Sequence, residues 1–213
     1  MHSNKYTLIF TSIITIFMGF ILSFAATSLK PRQDINIEID MKKNILSALG
    51  IKPKKSKKWT TEEVQKVYES CISGIVIDKI GKKTNMDPKD IDSEKNMNFF
   101  PIYLHMVNQK VNGYVIPISG KGLWSTLYGY FAIETDCKTA KGITFYKHGE
   151  TPGLGGEVEK SWFKNNFIGK KFVDDNNVLV GIEVLKGSVD ESSKEAYRQV
   201  DGISGATITS KGL

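Results

Sequence analysis

The chain has 213 residues, 40% apolar and 24% charged, with a formal net charge of +6. That length suits one domain plus an appendage, and the composition is ordinary for a globular protein with a buried core. The positive charge does not point to nucleic acid, because the lysines are scattered and no nucleic-acid-binding motif accompanies them. Cys71 and Cys137 stand too far apart for a metal-ligand pair and have no histidine cluster beside them. Both are read as packing residues, a disulfide in an oxidising compartment being the alternative.

Residues 6–29 carry no charge over 24 positions and are bounded by Lys5 and Lys30. At about 1.5 Å per residue such a helix crosses the roughly 30 Å hydrocarbon layer of a bilayer. The competing reading is a cleaved secretory signal with a small-residue site at Ser23-Phe24-Ala25. The apolar run exceeds the usual length of a signal core, which favours a retained anchor. Residues 31–58 read as a polar connector, with a short amphipathic piece around 41–49 ending at Gly50. Its basic run, residues 52–58, is solvated loop or a contact for anionic lipid head groups. Thr60 followed by Glu63 has the form of a capping box opening a helix through about Ser70, and Ile75-Val76-Ile77 reads as a strand. Residues 81–98, rich in lysine, aspartate and asparagine, read as a surface loop.

Residues 102–107, 114–118, 128–134 and 142–146 are β-rich runs, and Asn112-Gly113 and residues 136–139 supply turn chemistry, which predicts an antiparallel meander. Trp124 stands apart from the alternating aromatics, in the glycine-flanked turn Gly120-Lys121-Gly122-Leu123-Trp124. An indole there either walls a planar ring or caps the sheet core. The loop at 150–157, Glu-Thr-Pro-Gly-Leu-Gly-Gly-Glu, is shaped by its backbone, with Thr151, Leu154 and two carboxylates projecting. It lacks the full dinucleotide fingerprint. A helix at 159–167, a strand at 178–185 and a helix at 192–200 are expected next, so the domain is α+β, with a mainly antiparallel sheet. The chain ends in Asp201-Gly202-Ile203-Ser204-Gly205-Ala206-Thr207-Ile208-Thr209-Ser210-Lys211-Gly212-Leu213. Such a small, hydroxylated turn suits a phosphate, or is simply a surface turn capped by Ser204 or Thr207 before a helix.

Three blocks, residues 122–126, residues 148–157 and Ser204-Gly205-Ala206-Thr207-Ile208-Thr209, occur in this order. Together they resemble the C subunit of the bacterial Na+-translocating NADH:quinone reductase. In that family the threonine closing Ser-Gly-Ala-Thr is joined to the phosphate of FMN through a phosphoester, made by a separate flavin transferase. By motif match that residue is Thr207. The resemblance implies cofactor contacts from Ser204, Gly205, Ala206 and Thr209, from Leu123, Trp124 and Ser125, and from Glu150, Thr151, Leu154 and Gly155. Flavin suits such a mixture, with an apolar edge beside ring nitrogens and carbonyls that need polar partners.

The resemblance further implies an electron-relay subunit with covalent FMN and no catalytic or metal-binding residue of its own. NADH, ubiquinone and Na+ sites would lie on the other subunits of the complex. It places residues 1–30 as tail and inner-membrane helix, 31–58 as connector, and 59–213 as a flavin domain on the periplasmic side. Charge does not support that orientation, since Lys30, Arg32, Lys42 and Lys43 follow the span and only Lys5 precedes it. The expectation follows the resemblance. The sequence ends at Leu213, where members of the family usually run on into a further helical segment. Two alternatives remain: the G subunit of an Rnf electron-transport complex, which shares Ser/Thr-Gly-Ala-Thr, and a membrane-anchored module that binds flavin or phosphate without redox work. His148-Gly149-Glu150 together with Gly155-Gly156-Glu157 favours the first reading over the Rnf one.

Overall fold

A computed structural model describes residues 3–53, 58–91 and 96–213. Helix α1, Asn4–Ala48, begins in the apolar run, whose side chains are all exposed, and it is the one described helix long and apolar enough to cross a membrane. It does not give way to a polar connector at residue 31. Pro31 lies inside it, where its fixed φ fits the helix and the missing N–H costs one bond of the ladder. The helix stops where local chemistry stops it. Gly50 takes φ +73°, its N–H donates to Ser47 O, and Ile51 N–H reaches back to Leu46 O, which is a Schellman closure. By its contacts the chain forms two units, Met1–Met41 and Lys42–Leu213. The second unit therefore starts at Lys42, ahead of residue 59, and Ile45, Leu46, Ala48 and Leu49 belong to its core. Residues 54–57 of the basic run and 92–95 of the expected surface loop lie outside the described residues.

Thr60 caps helix α2, Thr61–Cys71, by accepting from Glu63 N–H at 3.2 Å. Six strands follow: β1 Ile72–Asp78, β2 Lys83–Thr84, β3 Phe99–Val107, β4 Lys110–Lys121, β5 Thr126–Ile133 and β6 Ala140–Lys147. They form an antiparallel sheet in the order β2-β1-β3-β4-β5-β6, with a 3-10 turn, Pro88–Asp90, between β2 and β3. The β3–β4 turn is not at Asn112-Gly113. Asn108 and Gln109 make it, both at positive φ (50° and 62°), and Gly113 lies inside β4 opposite a register shift in β3. Two residues in the left-handed region match the twist of a tight hairpin.

Alternation divides the sheet's side chains between two faces. On one, Leu127, Ile143 and Phe145 pack with Val158, Phe163, Phe167, Val200, Ile203 and Ala206 from the C-terminal half. On the other, the Thr144 hydroxyl donates to Asn44 O, where the end of α1 meets β6. A cavity of about 360 Å³ opens beside the first face, lined by Ile118, Leu127, Phe131, Phe167, Phe172 and Leu213 among others.

The C-terminal half is less regular than its sequence suggests. The helix expected at 159–167 is a 3-10 turn, Gly155–Glu159, followed by α3, Ser161–Asn165. The strand expected at 178–185 reduces to β7, Glu183–Val184, which pairs in parallel with β8, Gln199–Val200. Residues 192–200, expected to be helical, hold only the 3-10 turn Ala196–Arg198 before β8. Long-range bonds hold this region instead, such as Lys170 Nζ to Ala196 O at 2.8 Å and Val189 N–H to Asp201 Oδ1 at 2.7 Å. Helix α4, Thr207–Lys211, ends it. Both cysteines are free, and Cys137 is exposed in the β5–β6 turn at φ +55°, so it is not a packing residue.

Candidate functional site

Glu150 leaves the end of β6 and points back under the β4–β5 turn with only 5% of its surface exposed. Its Oε1 accepts from the N–H groups of Trp124 (2.9 Å) and Ser125 (3.2 Å), and its Oε2 from that of Leu123 (3.3 Å). The Thr209 hydroxyl also donates to Oε2. One carboxylate thus touches all three sequence blocks. Burial alone would raise its pKa, but the Thr209 hydroxyl and the three amides outweigh burial and hold the carboxyl below its ordinary value. Ser125 adds a second tie, its Oγ accepting from Gly149 N–H at 2.5 Å. His148 Nδ1 accepts from Glu150 N–H (3.2 Å), and its Nε2 lies 3.0 Å from Glu159 Oε1.

Two glycines make room for that carboxylate. A Cβ on Gly122 would lie 2.6 Å from Glu150 Oε1, and one on Gly155 2.7 Å from Thr209 Oγ1 and 2.8 Å from Glu150 Oε2. Gly155 is buried against the carboxylate. Gly205 serves another contact: it holds φ +75°, and a Cβ there would lie 2.7 Å from Leu154 Cδ2. The 150–157 loop and the Ser-Gly-Ala-Thr turn are therefore in van der Waals contact.

The four hydroxyls of residues 204–210, which spacing leaves equivalent, separate by burial. Thr209 is 1% exposed and committed to Glu150, and Ser210 is buried with an unpartnered Oγ. Ser204 and Thr207 are exposed, Thr207 as the first residue of α4. Ala206 beneath them belongs to the apolar core. Thr151 is exposed and turns its loop back through its carbonyl, which accepts from Leu154 and Gly156 N–H. Four large apolar side chains stand in solvent on these same segments: Leu123, Trp124 (70% exposed), Leu154 and Ile208. Exposed apolar residues on segments that meet at a hydroxylated turn mark a surface suited to a ligand or partner. A flat, partly apolar ring with a phosphate tail fits that surface and the accessible Thr207.

Of the residues expected to contact a cofactor, Glu150, Thr209, Gly155 and Ala206 are buried. Leu123, Trp124, Thr151, Leu154, Ser204 and Thr207 are exposed, and Ser125 ties two loops together. Ile208 and Gly122 lie within the third and first blocks but are not among the expected contacts. An isolated isoleucine between two threonines and a glycine before an apolar pair carry no signal until their neighbours are known. No group of three or more potential metal ligands occurs among the described residues.

Residues 122–213 match the model of the FMN-binding domain family, a span that holds all of the first and third blocks and the whole of the loop between them. Over 236 aligned residues the chain is 36% identical to the C subunit of the Na+-translocating NADH-quinone reductase of Pseudomonas aeruginosa, covering 99% of this chain and 88% of that one. The C subunit from Yersinia pestis is 33% identical, with 97% and 84% covered. Among solved structures, the C subunit of the same reductase from Parabacteroides distasonis superposes with a TM-score of 0.74 at 30% identity, covering 86% of this chain and 88% of that one. Shewanella oneidensis NqrC gives 0.67 at 26% identity, covering 81% and 86%.

Proposed function

Because the chain belongs to the family formed by the C subunit of the Na+-translocating NADH-quinone reductase, we propose that it is the electron-relay subunit of such a complex, with FMN held through a phosphoester on Thr207. The observation that carries this is the sorting of hydroxyls. Thr209 and Ser210 are buried, whereas Thr207 is exposed, as are Leu123, Trp124, Leu154 and Ile208 on the segments that Glu150 and the Gly205–Leu154 contact join. When bound, the flavin supplies the acceptance and release of electrons. The protein's own residues anchor its phosphate at Thr207 and cover part of its ring with apolar side chains. NADH, ubiquinone and Na+ would be handled by the other subunits of the complex, and a flavin transferase would form the bond.

Intact-protein mass spectrometry on the chain co-expressed with a flavin transferase tests the assignment. The wild-type chain gains the mass of FMN less water, and Thr207→Val, which keeps the shape but has no oxygen to esterify, does not. A Thr207→Val chain that still gains the mass refutes the site and leaves Ser204 as the exposed alternative.

The apolar stretch of α1 anchors the chain in the inner membrane, with the domain on the periplasmic side. Cys137, already exposed, reports the side. A membrane-impermeant thiol reagent added to cells with permeabilised outer membranes labels it, and labelling only after the inner membrane is opened reverses the topology.

A further inference from the structure

We propose that Glu150 is a positioning residue, whose carboxylate holds the Trp124 turn and the Thr207-bearing segment in the register the cofactor needs. This rests on the flavin reading above and assigns Glu150 a part other than contact with the flavin. An ionised carboxylate offers about four lone-pair sites. Here four donors use them: the amides of Leu123, Trp124 and Ser125 and the hydroxyl of Thr209. Nothing remains for a flavin donor, and the group is buried beneath the surface on which a flavin would lie.

The segments it joins are far apart in the chain. The amides lie 25 to 27 residues before Glu150 and Thr209 lies 59 after it, so no local bond sets one against the other. Gly122 and Gly155, one from each of the first two blocks, leave the space the carboxylate fills, since a Cβ on either would meet its oxygens below 3 Å. Exposed Trp124 and Thr207 thus stand one short step from donors to the same group: Trp124 through its own amide, Thr207 two residues before Thr209. A neutral side chain of the same shape would weaken this. An amide at position 150 replaces one acceptor oxygen by a donor, which faces N–H groups, and removes the charge that roughly doubles such bonds.

Hydrogen exchange on the full chain in detergent, without cofactor, reads the tie directly. In Glu150→Gln the amides of residues 123–125 exchange about tenfold faster than in the wild type, while β5 and β6 keep their protection. Unchanged exchange at 123–125 overturns the proposal. On chains loaded by the transferase, Glu150→Gln shifts the flavin absorption maximum and midpoint potential. Phe167→Leu, a core substitution away from the carboxylate, lowers stability but leaves both in place. If Glu150→Gln loosens the turn and the flavin keeps its spectrum and potential, the residue is structural only and the proposal falls. Should Glu150→Gln not fold, Thr209→Val reads the tie from its other end: amides 210 and 212 exchange at least about threefold faster, or the proposal falls. A wild-type chain that takes up no FMN overturns the flavin reading, whereas the exchange result still decides whether the carboxylate ties the loops.

Discussion

Gly153 and Gly155 lie two positions apart in one loop and do different work. Gly153 holds φ +77° with open space where a Cβ would go, so Gly153→Ala meets only the strain of the left-handed region, about 1–2 kcal/mol. Gly155 needs no unusual φ, but its missing Cβ is the room in which Glu150 and Thr209 meet. Gly155→Ala should therefore cost more, because it pushes apart a buried, charged hydrogen bond, of a kind worth about 1.5–3 kcal/mol by itself. Urea unfolding followed by tryptophan emission compares the two variants. A Gly155→Ala chain as stable as Gly153→Ala would show that the loop relaxes without disturbing the carboxylate. Composition gives both glycines the same freedom, and only the resemblance singles out Gly155 and Glu150, since composition says which groups a loop carries and not where they point.

At the scale of elements, what could be read in advance is what local chemistry decides. The Thr60 cap, the stop at Gly50 and the alternation of β3 to β6 each depend on residues within a few positions of one another, and each stands where the pattern puts it. The β3–β4 turn shows the limit of such reading. Asn112-Gly113 is the stronger turn signal, yet Asn108-Gln109 turns, because facing pairs such as Leu104 with Tyr114 and Tyr103 with Val115 set the register. Residues 178–200 show it more fully. Their two strands are two residues each and pair in parallel, so neither has a length over which periodicity accumulates. Continuity misled in the other direction at Pro31, which marks a break in most helical patterns but sits inside α1.

For the whole molecule, stability is linked to ionisation on both sides of neutral pH, through the sheet on the basic side and through the site on the acid side. Tyr103 is pushed up to about 12 and Tyr130 higher, chiefly by burial, so folding is favoured by neutral phenols up to about pH 10 and loses that support as pH rises through the folded-state values. The acid side belongs to Glu150. Its carboxyl is held below its ordinary value in the folded chain, so the stability it contributes is fully present above about pH 4.5 and is lost as pH falls through the folded-state value. Asp136, held low by the Thr139 hydroxyl and the amides of Lys138 and Thr139, adds to the same limb from the β5–β6 turn, although its exposure makes its share small. A Glu150→Gln chain cannot take up that proton. It should be less stable than the wild type at pH 7, and the gap should close as pH falls toward 3, because only the wild type then loses the carboxylate's four bonds. Urea unfolding at a series of pH values, followed by tryptophan emission, gives the two curves. If they run parallel from pH 7 to pH 3, the Glu150 carboxyl titrates alike in the folded and unfolded chain, and it does not hold the three blocks together.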